Sequence, residues 1–182
     1  MSDAYLAFLQ GVNHNTAVNL VSTCAAWRAQ GVSRVHLGIA SGGGSLNAGF
    51  TAYAQLRGLS GLTFTTYNLG HCNSVALLWF VLGERRLATP VSSFLFHPTN
   101  WTFAEGATVS FAVLADAYNT LRQQEKLLYD EVSKASGVKR STIATWYKSS
   151  NNLPASAAVS AKFCHAIAEF DVPAGAIFYQ IN

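Results

Sequence analysis

Charge is scarce in this sequence. Only 12% of its 182 residues are Asp, Glu, Lys or Arg, and the formal net charge is +3. Arg28, Arg34, Arg57, Arg85 and Arg86 are scattered, which excludes the clustered basic footprint of a nucleic-acid binder. They read as surface arginines, with Arg85-Arg86 expected at a subunit contact. Cysteines number only three, Cys24, Cys72 and Cys164, too far apart for a zinc site or a redox pair. Reduced, buried thiols in a cytoplasmic protein are the expectation. No apolar run exceeds the eight residues from Val75 to Leu82, too few to cross a bilayer, so no membrane role is read. Met1-Ser2-Asp3 lacks the basic start of a signal peptide.

Half of the residues are hydrophobic, enough for a substantial core, and the sequence reads as one domain over 1–182. Ten of the twenty-one charged residues fall between Glu105 and Arg140, against seven in the first 104. A front part so poor in charge predicts that surface is covered by copies of the same chain.

Hydrophobic spacing predicts an α/β fold. Tyr5 to Leu9 reads as a strand, and Asn13 or Asn15 caps a helix to about Ala29 with Val18, Val21, Cys24, Ala25 and Arg28 at helical spacing. Gly31 ends it. Val35 to Ile39 is a buried strand with His36 as a satisfied core histidine, and a helix runs on to about Arg57. Leu62 to Tyr67 is the third strand, and Val75 to Leu82 a buried helix. Ser92 to Phe96 is a short strand that ends on His97. One long helix is predicted over about 107–135, with Phe111, Leu114, Tyr118, Leu121, Leu128 and Val132 on its apolar side. Short helices from Ser141 and Pro154 and an extended tail from Val172 to Ile181 complete the chain. This alternation implies parallel pairing, with functional loops at the carboxyl ends of the strands.

Three stretches carry chemistry. Gly42-Gly43-Gly44 after the second strand lets backbone approach a ligand and can build an oxyanion hole; no Gly-Lys-Ser/Thr or dinucleotide spacing accompanies it. Ser74 precedes the apolar run, as a helix N-cap or as a nucleophile. His97 ends a strand, and imidazole is the side chain that exchanges protons near neutrality. His71 is the competing base and Cys72 the competing nucleophile.

Ile39 to Gly49 resembles the Ser-Pro-Gly-Gly-x-x-x-Ala-Gly loop of the Clp protease proteolytic subunit family, with Gly42 in place of the proline. Gly70 to Leu78 is similar to that family's Gly-x-x-x-Ser helix start, and Gly83 to His97 to its Gly-x-x-Arg-x-x-x-Pro-x-Ser-x-x-x-x-His segment. The likeness extends from Asn13-His14-Asn15-Thr16 to Leu153–Ile167. It implies a ClpP-type, crotonase-like spiral of β-β-α units and serine peptidase chemistry. Ser74 would be the nucleophile, His97 the base, and the Gly44 and Val75 amides the oxyanion hole. The implied partners are unfolded polypeptide substrate, further copies in a ring, and an ATP-driven AAA+ unfoldase; no metal or organic cofactor is implied.

The family's third catalytic residue, an aspartate, falls on Ser150, and no Asp or Glu lies between Glu131 and Glu169. Three outcomes follow: a dyad oriented by Ser150 or Asn151, an acid supplied by Asp116 or Asp171, or an inactive ring subunit acting as a scaffold. A crotonase-like enzyme acting on an acyl thioester is the remaining alternative. It would need acids facing the substrate, and none is near Gly44 or Ser74 in the sequence.

Overall fold

The computed structural model describes residues 2–182. Strand β1 (Ser2–Phe8), helix α1 (His14–Ala29), strand β2 (Val32–Ser41), helix α2 (Leu46–Gly58) and strand β3 (Thr63–Asn73) form the first half. Asn13 opens α1 with a capping box, its side chain accepting from the Thr16 amide and its own amide donating to the Thr16 hydroxyl, both at 3.0 Å. The buried stripe of α1 is Ala17, Leu20, Cys24 and Trp27. It differs from the predicted stripe because this rotation turns the larger apolar bodies of Leu20 and Trp27 inward and leaves Val18 half exposed.

Helix α3 (Ala76–Phe80) takes only the middle of the apolar run, and β4 (Arg85–Ala88) and β5 (Ser93–Leu95) follow. Then come α4 (Phe111–Ser136), α5 (Arg140–Lys148), β6 (Asn152–Pro154), α6 (Ala155–Ser160), β7 (Ala166–Ile167) and β8 (Ile177–Ile181). The expected extended tail is in fact β8, hydrogen-bonded parallel to β1 with Leu6 opposite Tyr179.

One eight-stranded sheet runs β6-β5-β3-β2-β1-β8, with β4 beside β3 and β7 beside β4. Every pairing is parallel except β5 with β6. Strand β3 serves two partners: Thr65 to Asn68 pair with β4, and His71 to Asn73 pair with β5. At the fork its register against β2 slips, from Ile39 opposite Asn68 to Ser41 opposite Cys72. Buried Asn68 holds this irregularity. Its amide donates to the Ser93 carbonyl at 2.7 Å and accepts from the Gly70 amide at 3.1 Å, filling both halves of a buried polar group. The fork carries Ser74 away from the β4 side and sets it beside β5, the strand that delivers His97.

Helices α1 to α5 pack in succession over the sheet. Trp79 of α3 is fully buried, meets Phe8 edge-on at 4.9 Å and donates its indole N–H to the Gly49 carbonyl at 2.9 Å. Phe80, Phe94, Phe96 and Phe163 form a second aromatic cluster under β5. His36 meets its expectation as a satisfied histidine: it stacks on Tyr5 at 4.4 Å, and its nitrogens reach Tyr67 Oη and Asp3. The three cysteines are free and buried.

Arg86 departs from the surface reading. It is 6% exposed, and its guanidinium donates to the carbonyls of Phe163, Gly83, Ala135 and Ser136, tying the β4 turn to the end of α4 and the approach to β7. Its amide donates to His165 Nδ1 at 2.9 Å. Partial burial of that ring, and then the charges of Arg86 and Arg85, lower the His165 pKa from its ordinary 6.5. A base with a depressed folded-state pKa takes up its proton first in the unfolded chain. The neutral ring therefore stabilises the fold fully above about pH 6.5, and the contribution is lost as pH falls below it. Thermal unfolding should show a Tm that drops on acidification from pH 7 to 5, by less in His165→Asn; parallel curves for the two proteins would refute the assignment.

Candidate active site

At the end of β2 the chain turns through three glycines. Ser41 Oγ accepts from the Gly43 amide at 3.2 Å. Val12, in the β1–α1 connection, donates to the Gly43 carbonyl at 2.8 Å and accepts from the Ser45 amide at 2.7 Å. Gly43 and Gly44 have φ of +91° and +145°. A Cβ at Gly44 would lie 2.2 Å from the Val12 carbonyl oxygen, and one at Gly43 2.7 Å from Ser74 Cβ. Only glycine allows this strand, this loop and Ser74 to approach so closely. The Gly44 amide, between the two bonded neighbours, has no acceptor among the described residues.

Ser74 closes β3 with φ of +55°, a left-handed conformation that costs a residue with a side chain on the order of 1–3 kcal/mol. It does not cap α3: Val75 occupies the cap position and makes no side-chain bond. Two contacts impose the turn. The Ser74 amide donates to the Leu95 carbonyl at 2.8 Å, and its carbonyl accepts from the buried Tyr147 hydroxyl at 3.2 Å. Ser74 Oγ makes no hydrogen bond to any described residue, and the Val75 amide that follows also lacks an acceptor among them. Val75 is held from below, because a Cβ at Gly49 would meet its side chain at 2.3 Å.

His97 leaves β5 one residue after Phe96, whose amide donates to the Asn151 carbonyl at 2.9 Å. Its Nδ1 lies 2.9 Å from the Pro98 carbonyl oxygen. A carbonyl only accepts, so the contact is a hydrogen bond when Nδ1 carries the proton, which in the neutral ring leaves the Nε2 lone pair free. Gly44, Ser74 and His97 converge on one cleft of about 350 Å³, walled on its apolar side by Leu46, Trp101 and Leu121. Asn47 and Gln124 join across its rim at 3.0 Å.

Ser150 does not take the orienting place. It is exposed, sits in a left-handed turn with φ of +52°, and its hydroxyl bonds to no described residue. The adjacent backbone explains this: Asn151 spends its amide on the Trp146 carbonyl and its carbonyl on Phe96, so the segment braces β5 rather than presenting a side chain to the imidazole. Asp116 and Asp171 are both exposed and make no bond to His97. The competitors fail on burial and direction. His71 is exposed on β3, while Cys72 is wholly buried, and burial raises its pKa far from thiolate formation.

Several contributors escaped the sequence reading. Tyr147 props the Ser74 carbonyl from 73 residues away. Glu125 of α4 accepts from the Thr99 hydroxyl at 3.1 Å and from the Thr99 amide at 3.4 Å. No local pattern marks either residue; the path of α4 and α5 across the sheet places them.

A forked, mostly parallel sheet with helices over it, and a glycine loop, a strained serine and a histidine at its rim, is a mixed α/β fold of the ClpP type. The chain belongs to the Clp protease family, whose model, described as Clp protease, matches residues 1–169. A solved structure of a ClpP1 mutant from Listeria monocytogenes superposes with a TM-score of 0.78 over 91% of each chain at 16% identity. No curated protein sequence matches significantly. The family is one of serine peptidases, and no helix among the described residues is long and apolar enough to cross a membrane.

Proposed function

We propose that this chain is a Clp-type serine endopeptidase subunit in which Ser74 and His97 cleave peptide bonds. The observation that carries the reading is the common cleft of Gly44, Ser74 and His97, with the imidazole proton committed to the Pro98 carbonyl. His97 Nε2 removes the Ser74 hydroxyl proton as Oγ bonds to the substrate carbonyl carbon, and the Gly44 and Val75 amides receive the oxyanion. The imidazolium passes its proton to the leaving amine as the C–N bond breaks. Water, deprotonated by the same nitrogen, then releases the acyl group and restores the serine.

Unfolded polypeptide is the substrate class the family implies, and Trp101 and Leu121 offer apolar surface to a side chain at the cleft. Self-association into a ring is supported by the first half of α4, where Phe111, Leu114 and Tyr118 are 86%, 48% and 59% exposed. An AAA+ unfoldase as partner and a cytoplasmic location follow from the family. A second reading, an inert ring subunit, is favoured by the open contact between Ser74 Oγ and His97 and by the missing acid.

A fluorophosphonate probe separates the two. Incubated with the purified protein near neutral pH and mapped by peptide mass spectrometry, it should form its adduct on Ser74. An assembled, folded protein that takes up no label would establish the inert reading.

A further inference from the structure

The imidazole of His97 has lost its expected acid, yet its Nδ1 is not without a charged partner one step away. The Pro98 carbonyl that accepts from Nδ1 at 2.9 Å and the Thr99 amide that donates to Glu125 at 3.4 Å belong to the same peptide group. No peptide bond among the described residues is cis, so that C=O and N–H point to opposite sides of the amide plane. We propose that Glu125 is the positioning residue of this site, holding His97 in its Nδ1–H tautomer through the Pro98–Thr99 peptide group. The proposal rests on the serine peptidase reading above.

The physical basis is cooperativity within a hydrogen-bond chain. A carboxylate on the N–H side of an amide draws electron density toward the carbonyl oxygen, which then accepts more strongly. The Thr99 hydroxyl, donating to the same Glu125 oxygen at 3.1 Å, fixes the carboxylate in register. Tyr129, one turn further along α4, is buried beside Glu125, and burial followed by the Glu125 charge raises its pKa. Its hydroxyl makes no close hydrogen bond to any described residue, and the raised pKa keeps it protonated beside that carboxylate. Helix α4 thus supplies the negative charge that the segment around Ser150 lacks, at one peptide's remove from the imidazole.

The test compares wild type with Glu125→Gln, Glu125→Asp and Thr99→Ala. It reads the His97 tautomer from imidazole nitrogen chemical shifts and the rate of fluorophosphonate addition at Ser74. Glutamine still accepts from Thr99 but carries no charge. It should lower the share of Nδ1–H tautomer and slow labelling by on the order of tenfold, the difference between a charged and a neutral acceptor. Glu125→Asp should recover part of both losses. Thr99→Ala keeps the amide contact and removes only the hydroxyl one, so its loss should be well below that of Glu125→Gln.

Wild-type behaviour in Glu125→Gln would overturn the proposal. So would a loss in Thr99→Ala equal to that in Glu125→Gln, because it would mean a side-chain tether. If no protein is labelled while the tautomer still responds to Glu125→Gln, the peptidase reading fails and the positioning role stands.

Discussion

If Ser74 is the nucleophile, replacing it by Ala should abolish fluorophosphonate labelling and lower peptide hydrolysis by on the order of 10⁴-fold or more, while the fold persists. The two halves of this expectation have separate grounds. Ser74 Oγ bonds to no described residue, so its removal leaves no orphaned partner and should change stability by less than about 1 kcal/mol. The strained turn is imposed by backbone contacts with Leu95 and Tyr147, which alanine keeps. The reaction, by contrast, loses its nucleophile: Cys72 is buried, Ser45 caps α2, and the Thr99 hydroxyl is taken up by Glu125. His97→Ala should cost a similar factor, and the double variant little more, because nucleophile and base act as a unit. Substantial hydrolysis by a purified Ser74→Ala protein would sink the mechanism.

The largest effect on stability is expected at Arg86. Arg86→Met fills comparable space with apolar atoms but strips donors from the carbonyls of Phe163, Gly83, Ala135 and Ser136. Each buried acceptor left empty costs about 1–3 kcal/mol, offset in part by no longer burying a cation, so a net loss of about 3–5 kcal/mol is expected. Urea unfolding measures it. Arg86→Lys should recover only a minor part, since one ammonium cannot reach acceptors spread over a planar fork. A change below about 1 kcal/mol would show that water replaces the guanidinium and that the connection is dispensable.

Local signals in the sequence were reliable where the structure is local. Asn13, one of the two expected caps, and Gly31 mark helix ends where predicted, because caps and left-handed stops act within one turn. The glycine loop, Ser74 and His97 were legible for the same reason: each sits at the end of its own strand. The prediction failed where a distant partner decides. Of the two readings of Ser74, helix cap or nucleophile, the cap is the one that fails, because contacts with Leu95 and Tyr147 turn it left-handed. Arg86 looked like a surface charge, yet four carbonyls from three segments enclose it. Phe111, Leu114 and Tyr118 show helical spacing and still face outward, because periodicity reports an apolar stripe without reporting what covers it. The fork of β3 was invisible, since a shared strand and a register slip leave no mark in hydropathy.

The walls of the cleft come from residues near 44, 74, 97 and 121, with Tyr147 propping the floor. During synthesis, the first two of these emerge long before the helix that completes the groove. Contacts so remote along the polymer form late, after the loops between them have closed. On the peptidase reading, a nascent chain would therefore carry no assembled site until α5 has left the ribosome.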